Sequence, residues 1–150
     1  MPNPSRQNGL KYQPGTFRHF PTLVVEIAIM NEDRERLLAD ADQKYFNANT
    51  SVQAWIGIKI DQTSNTFWAG WGRRALVGYG LRLEQQTEDE AGNSSFQPIY
   101  PWLATNLVGQ FSIPSDLILY PNPVPANIPG NLVITLEEIR SSIEFSIDLM

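Results

Sequence analysis

Glu26 lies inside the run Thr22-Leu23-Val24-Val25-Glu26-Ile27-Ala28-Ile29-Met30, with apolar neighbours on both sides. Strand alternation puts Leu23, Val25, Ile27 and Ile29 on one face and Val24, Glu26 and Ala28 on the other. A carboxylate between Val24 and Ala28 is costly to desolvate unless a cation, a metal ion or several donors meet it. Two lysines are candidates. Lys44 falls at the rim of the apolar face of a helix carrying Leu37, Leu38, Ala41 and Tyr45, a face about 100° wide. Lys59 shares a strand face with Trp55 and Gly57. Three readings follow. The pair is a structural ion pair, or Glu26 holds a metal while a lysine stabilises charge in phosphodiester hydrolysis, or Glu26 faces solvent.

A second cluster is Phe67-Trp68-Ala69-Gly70-Trp71-Gly72-Arg73-Arg74, which mixes aromatic rings with arginines as nucleic-acid platforms do. Arg73, Arg74 and Trp71 are its candidate contacts. The alternative is that the arginines, Arg82 included, are ordinary solvated side chains and that one or both tryptophans are core. Trp68 and Trp71 are three apart and so point to opposite faces of a strand. Gly70, Gly72, Gly78 and Gly80 are followed by no Gly-Lys-Ser/Thr and form no phosphate loop. They suit bulges or close strand approach. His19 is the single histidine and has no ligand set beside it, which leaves the serines without a base.

The elements that must place these residues begin after an extended arm, residues 1–21, in which Leu10-Lys11-Tyr12 suits a short edge strand. Thr22–Met30 reads as a buried central strand, apolar on both faces. Asn31 is the expected N-cap of a helix running to about Asn47, with Glu32, Asp33 and Glu35 in its first turn. A strand over Val52–Ile60 follows, parallel to the first through a right-handed crossover. Thr66–Gly72 and Ala75–Glu84 then continue as an antiparallel meander, with Val77, Tyr79, Leu81 and Leu83 on one face. Gln85–Ser95 is a polar surface loop. Phe111–Ile113 and Leu117–Tyr120 are expected as short strands, and Pro121, Pro123, Pro125 and Pro129 as an extended connection over 121–130. Thr135-Leu136-Glu137-Glu138 forms a capping box that opens a helix to about Asp148, burying Leu136, Ile139, Ile143 and Ile147.

At 150 residues, with 42% hydrophobic and 18% charged residues, the chain suits a single folded domain. No apolar run approaches the ~18 residues of a membrane helix. The start has no secretory h-region, and cysteine is absent, so an intracellular place, cytoplasm or nucleus, is expected. The net charge is −5, and it is uneven. Residues 1–83 carry ten basic and seven acidic side chains, and residues 84–150 carry one basic and nine acidic. That sign disfavours nucleic acid, whose affinity comes largely from neutralised phosphates. It suits contact with a basic surface on a protein partner or another copy.

Phe20–Ala28, the Leu37-Leu38…Asp40-Ala41…Tyr45-Phe46 helix and Val52–Ile60 together resemble fungal proteins of the restriction-endonuclease-like, PD-(D/E)XK, superfamily. The likeness covers about residues 6–60. It implies a mixed α/β fold: a central mixed sheet, one crossover helix, a β-meander and a C-terminal helix. It also implies a site in which an Asp and a Glu hold magnesium and a Lys assists the attacking water. Glu26 matches the strand glutamate. Ala28 stands where the lysine usually sits, and Lys44 suits branches that carry it on the helix. Gly9 stands where the upstream acid belongs, with Asp61 or Asp33 as substitutes that no spacing argument supports. The helix and strand that usually open the fold have no counterpart. The expectation is therefore a nuclease-like domain with impaired or lost catalysis that acts through protein contacts or self-association. The alternative is a divergent magnesium-dependent endonuclease using Glu26 and Lys44.

Overall fold

The computed structural model describes residues 21–29, 33–87, 96–99 and 109–148, and the account below concerns these. The arm, Gly9, His19, Asn31 and Glu32 lie outside them, as do residues 88–95 and the side chain of Ile147. The fold is mixed α/β. Strand β1 (Leu23–Ala28) leads through helix α1 (Arg34–Tyr45) to β2 (Ala54–Asp61), then β3 (Thr66–Arg74), β4 (Leu81–Gln86) and the two-residue β5 (Gln97–Pro98). A second part comprises β6 (Gln110–Pro114), the short helix α2 (Ser115–Ile118), β7 (Asn131–Thr135) and α3 (Leu136–Asp148).

The main sheet runs β1-β2-β3-β4, with β5 pairing the start of β3. As expected of a strand-helix-strand unit, β1 and β2 are parallel, with Val24 opposite Trp55 and Glu26 opposite Gly57. The β2-β3-β4 part is antiparallel throughout. The turn between β2 and β3 is held by the Asp61 carboxylate, which accepts from the amides of Thr63 and Ser64 at 3.0 and 3.2 Å. One face of the sheet packs Leu37, Ala41 and Phe46 of the α1 layer against Trp55 and Trp68. The other packs Ile56, Ile58, Phe67 and Trp71 against Phe111, Ile113, Leu136, Ile139 and Ile143. The sheet is thus the middle of three layers.

Several elements depart from expectation, each for an identifiable reason. Among the described residues β1 is an edge strand, paired with β2 alone, and Val25 and Ile27 are 53% and 57% exposed. Its apolar run reflects an uncovered face rather than a central position. The N-cap of α1 is Asp33, whose carboxylate accepts from the Arg36 amide at 2.8 Å. The strand expected over Ala75–Glu84 starts only at Leu81, and Gln85 and Gln86, expected in a loop, belong to it. Gly78 and Gly80 have φ of +76° and +122°, a region open to glycine, and they curl 76–80 out of the sheet. Leu76, Val77 and Tyr79 are consequently exposed. The strand expected over Leu117–Tyr120 is replaced by the helical turn α2 at Ser115–Ile118, and β7 occupies Asn131–Thr135, where no strand was expected. The proline segment bends rather than extends, with the Asn122 amide donating to Leu119 and that of Ile128 to Pro125.

The capping box of α3 is present. The Glu138 carboxylate accepts from the Thr135 amide at 2.8 Å, and the Thr135 hydroxyl accepts from the Glu138 amide at 3.0 Å. Those bonds hold the Glu138 carboxyl below the usual carboxylate range. Its stabilising effect is therefore full above the unfolded value of about 4.3 and is lost as pH falls through the lower folded value. We expect urea denaturation to find Glu138→Ala less stable than wild type at pH 7, with the difference closing below about pH 4.

Candidate functional site

Glu26 has a direct neighbour with no side chain. Gly57 lies opposite it on β2, and the indole of Trp55, two residues back on the same face, lies across that glycine. A Cβ at Gly57 would come within 2.1 Å of the Trp55 ring. The ring is fully buried, and the path over Gly57 brings its Nε1 to Glu26 Oε1, donating at 2.9 Å. A second tryptophan repeats the device on β3. Trp68 lies over Gly70, and Gly57 and Gly70 are themselves opposite one another. Among the described residues the other two indole N–H groups also find a side-chain oxygen, Trp68 on Gln86 at 3.1 Å and Trp71 on Gln85 at 2.8 Å.

The other carboxylate oxygen, Oε2, faces α1. Lys44 Nζ stands 3.4 Å from it and the Tyr45 hydroxyl 3.5 Å. The side chain of Glu26 is 21% exposed and that of Lys44 57%, so this is an ion pair at the sheet's rim rather than inside it. Glu26 and Tyr45 together hold the Lys44 ammonium above the ordinary lysine range. Lys44 therefore stays charged up to about pH 10, and the pair weakens as pH rises through that raised value. Lys59 does not join it, and its ammonium donates to the Ile60 carbonyl at 3.3 Å.

The arginine and tryptophan candidates are placed differently. Arg74 is spent on backbone. Its Nε donates to the Val52 carbonyl, Nη1 to that of Asn47, and Nη2 to Tyr45 and to both oxygens of Thr50. It also stacks 5.5 Å from the centre of the Phe46 ring. Burial pulls its guanidinium below the usual arginine range. Trp71 is buried in the core facing α3, and Arg73 is half-buried opposite Arg82 on β4. The two alternative acids are engaged elsewhere, Asp33 as a helix cap and Asp61 in its turn. Among the described residues no three carboxylates or histidines converge as a metal site would require. No described helix is long and apolar enough to cross a membrane.

Sequence reasoning offered Lys44 and Lys59 as partners of Glu26, of which the fold brings up Lys44, and missed the stronger partner, Trp55. The signal was the repeated spacing Trp55-Ile56-Gly57 and Trp68-Ala69-Gly70. A large ring two residues from a glycine on one strand face has the space to lie flat. No family model, curated protein or solved structure matches the chain.

The geometry ranks the partners of Glu26. A hydrogen bond to a charged acceptor contributes about 1.5–3 kcal/mol, whereas an exposed ion pair contributes under about 1 kcal/mol. Trp55→Phe should therefore destabilise the protein by about 1.5–3 kcal/mol and Lys44→Met by less than about 1, read by chemical denaturation. Gly57→Ala, which forces the ring off its seat, should cost about 1–3 kcal/mol by overpacking and shift the tryptophan emission spectrum.

Proposed function

We propose that this chain is a restriction-endonuclease-like domain whose catalysis is impaired or lost and which works as a protein-interaction or self-association module. The observation that carries the reading is the commitment of Glu26. Its Oε1 accepts from Trp55 and its Oε2 faces Lys44 and Tyr45. Magnesium needs several hard oxygen ligands in near-octahedral geometry. A single carboxylate already engaged at both oxygens does not fit that demand. The β1-α1-β2 order and the mid-strand glutamate support the endonuclease-like kinship. Ala28, in place of the usual lysine, supports loss of activity. The exposed aliphatic face of β1 supports a role in contacts.

A second reading is favoured by one measurement, the 3.4 Å separation of Lys44 and Glu26. That arrangement suits a divergent endonuclease in which both groups serve phosphodiester hydrolysis. A plasmid-nicking assay with magnesium or manganese separates the two. We expect wild type and Glu26→Ala to nick equally, at background rate. Cleavage by the wild type that Glu26→Ala abolishes would overturn the proposal in favour of the enzyme.

A further inference from the structure

The face of β1 opposite Glu26 borders a groove of about 500 Å³ between the main sheet and the β7-α3 layer. Val25, Ile27 and Ile29 form one wall and Leu132 and Val133 part of the other. All five are substantially exposed although all are aliphatic. They leave on the order of 400 Å² of apolar surface uncovered, the size at which a patch marks an interaction site. A standard interface takes about 800 Å² from each partner, a little over half of it apolar, so this patch supplies most of that share. Among the described residues the groove has no lysine or arginine in its walls, which gives it no basis for attracting phosphate or an acidic peptide.

We infer that the occupant is a second copy of this chain, docked by antiparallel pairing of β1 with β1 about a two-fold axis normal to the sheet. The inference rests on the interaction reading above and gives it a partner and a seam. Among the described residues β1 pairs on one side only, so its outer backbone edge and its aliphatic face lie on the same strand. The strand is self-complementary in one register. With Ile27 opposite the partner's Ile27, Val25 meets the partner's Ile29 and Glu26 meets the partner's Ala28. A slip by two residues sets Glu26 against the partner's Glu26, opposing like charges. A slip by one turns the aliphatic face of one copy toward the polar face of the other. A two-fold axis normal to the sheet keeps both β7-α3 layers on the same side, where Leu132 and Val133 of each copy close over the seam.

The absence of cysteine makes the register directly testable on the full chain. Paired antiparallel residues have Cα atoms about 4.5–5.5 Å apart, within disulfide reach. Ile27→Cys should therefore form a covalent dimer under mild oxidation, while Val25→Cys and the control Leu76→Cys should not. Sedimentation velocity across the micromolar range should find a wild-type dimer whose dissociation constant rises at least tenfold in Ile27→Lys and is unchanged in Leu76→Lys. Ile27 is exposed, so the variant should retain the wild-type tryptophan emission spectrum and, at concentrations below the wild-type dissociation constant, the wild-type unfolding midpoint. A dimer indifferent to Ile27→Lys, or one that Ile27→Cys fails to link, overturns the β1 seam and leaves the broader interaction reading standing. A monomer at every concentration overturns it too, the groove then being covered by another segment of the chain or by a different partner. Glu26-dependent nicking is a separate failure, of the functional reading itself.

Discussion

The hydrogen bond from the Trp55 indole to Glu26 sets the terms for the whole α1 side of the sheet. A carboxylate in a strand flanked by valine and alanine needs a donor close by, and the nearest one here arrives from the next strand, with the helix supplying the more distant two. It can do so because Gly57 has no side chain to obstruct the ring. With the ring seated, Leu37, Ala41 and Phe46 have a flat aromatic surface to pack on, and the layer excludes water. Lys44 and Tyr45 then complete the solvation of the outer oxygen at the rim. A polar requirement at one position thus dictates a glycine and a tryptophan on the neighbouring strand.

The two faces of β1 have opposite fates. Toward α1 its side chains are half-buried and anchored by Glu26. On the opposite face Val25 and Ile27 border an open groove, while their neighbours on β2, Ile56 and Ile58, lie in the core under the β7-α3 layer. Burial therefore falls off toward the sheet edge on one side only. Edge strands with bare aliphatic faces are normally blunted by charge, proline or a bulge, and the described part of β1 has none of these on that face.

Much of the architecture was legible from local chemistry. The alternation in Val52–Ile60 identified β2 and its faces, and Thr135–Glu138 located the start of α3 from its capping pattern alone. Strand alternation and helix phase made Lys44 one of two candidate partners for Glu26, the other being Lys59, and the fold brings up Lys44. What escaped depended on information that periodicity does not carry. A run such as Leu23–Ile29 reads as central because apolar residues on both faces imply burial, yet only tertiary context decides whether the second face is covered. The strand at Ala75 failed because the positive φ angles of Gly78 and Gly80 override the alternation of Val77, Tyr79 and Leu81. Leu117–Tyr120 read as a strand from its aliphatic Leu117-Ile118-Leu119, but a helical turn over Ser115–Ile118 places Ser115 and Leu117 inward instead. The role of Trp55 depended on which residue lay opposite Glu26, a matter of register between strands.

Arg74 ties four carbonyls of the α1–β2 connection to the end of β3, across 22 to 29 positions of sequence. One guanidinium serves all four, so the conformation of the loop depends on the end of β3 being in place. The crossover and the hairpin thereby become one cooperative folding unit. Loss of the hairpin would loosen the end of the preceding helix as well, even though no peptide bond there had changed.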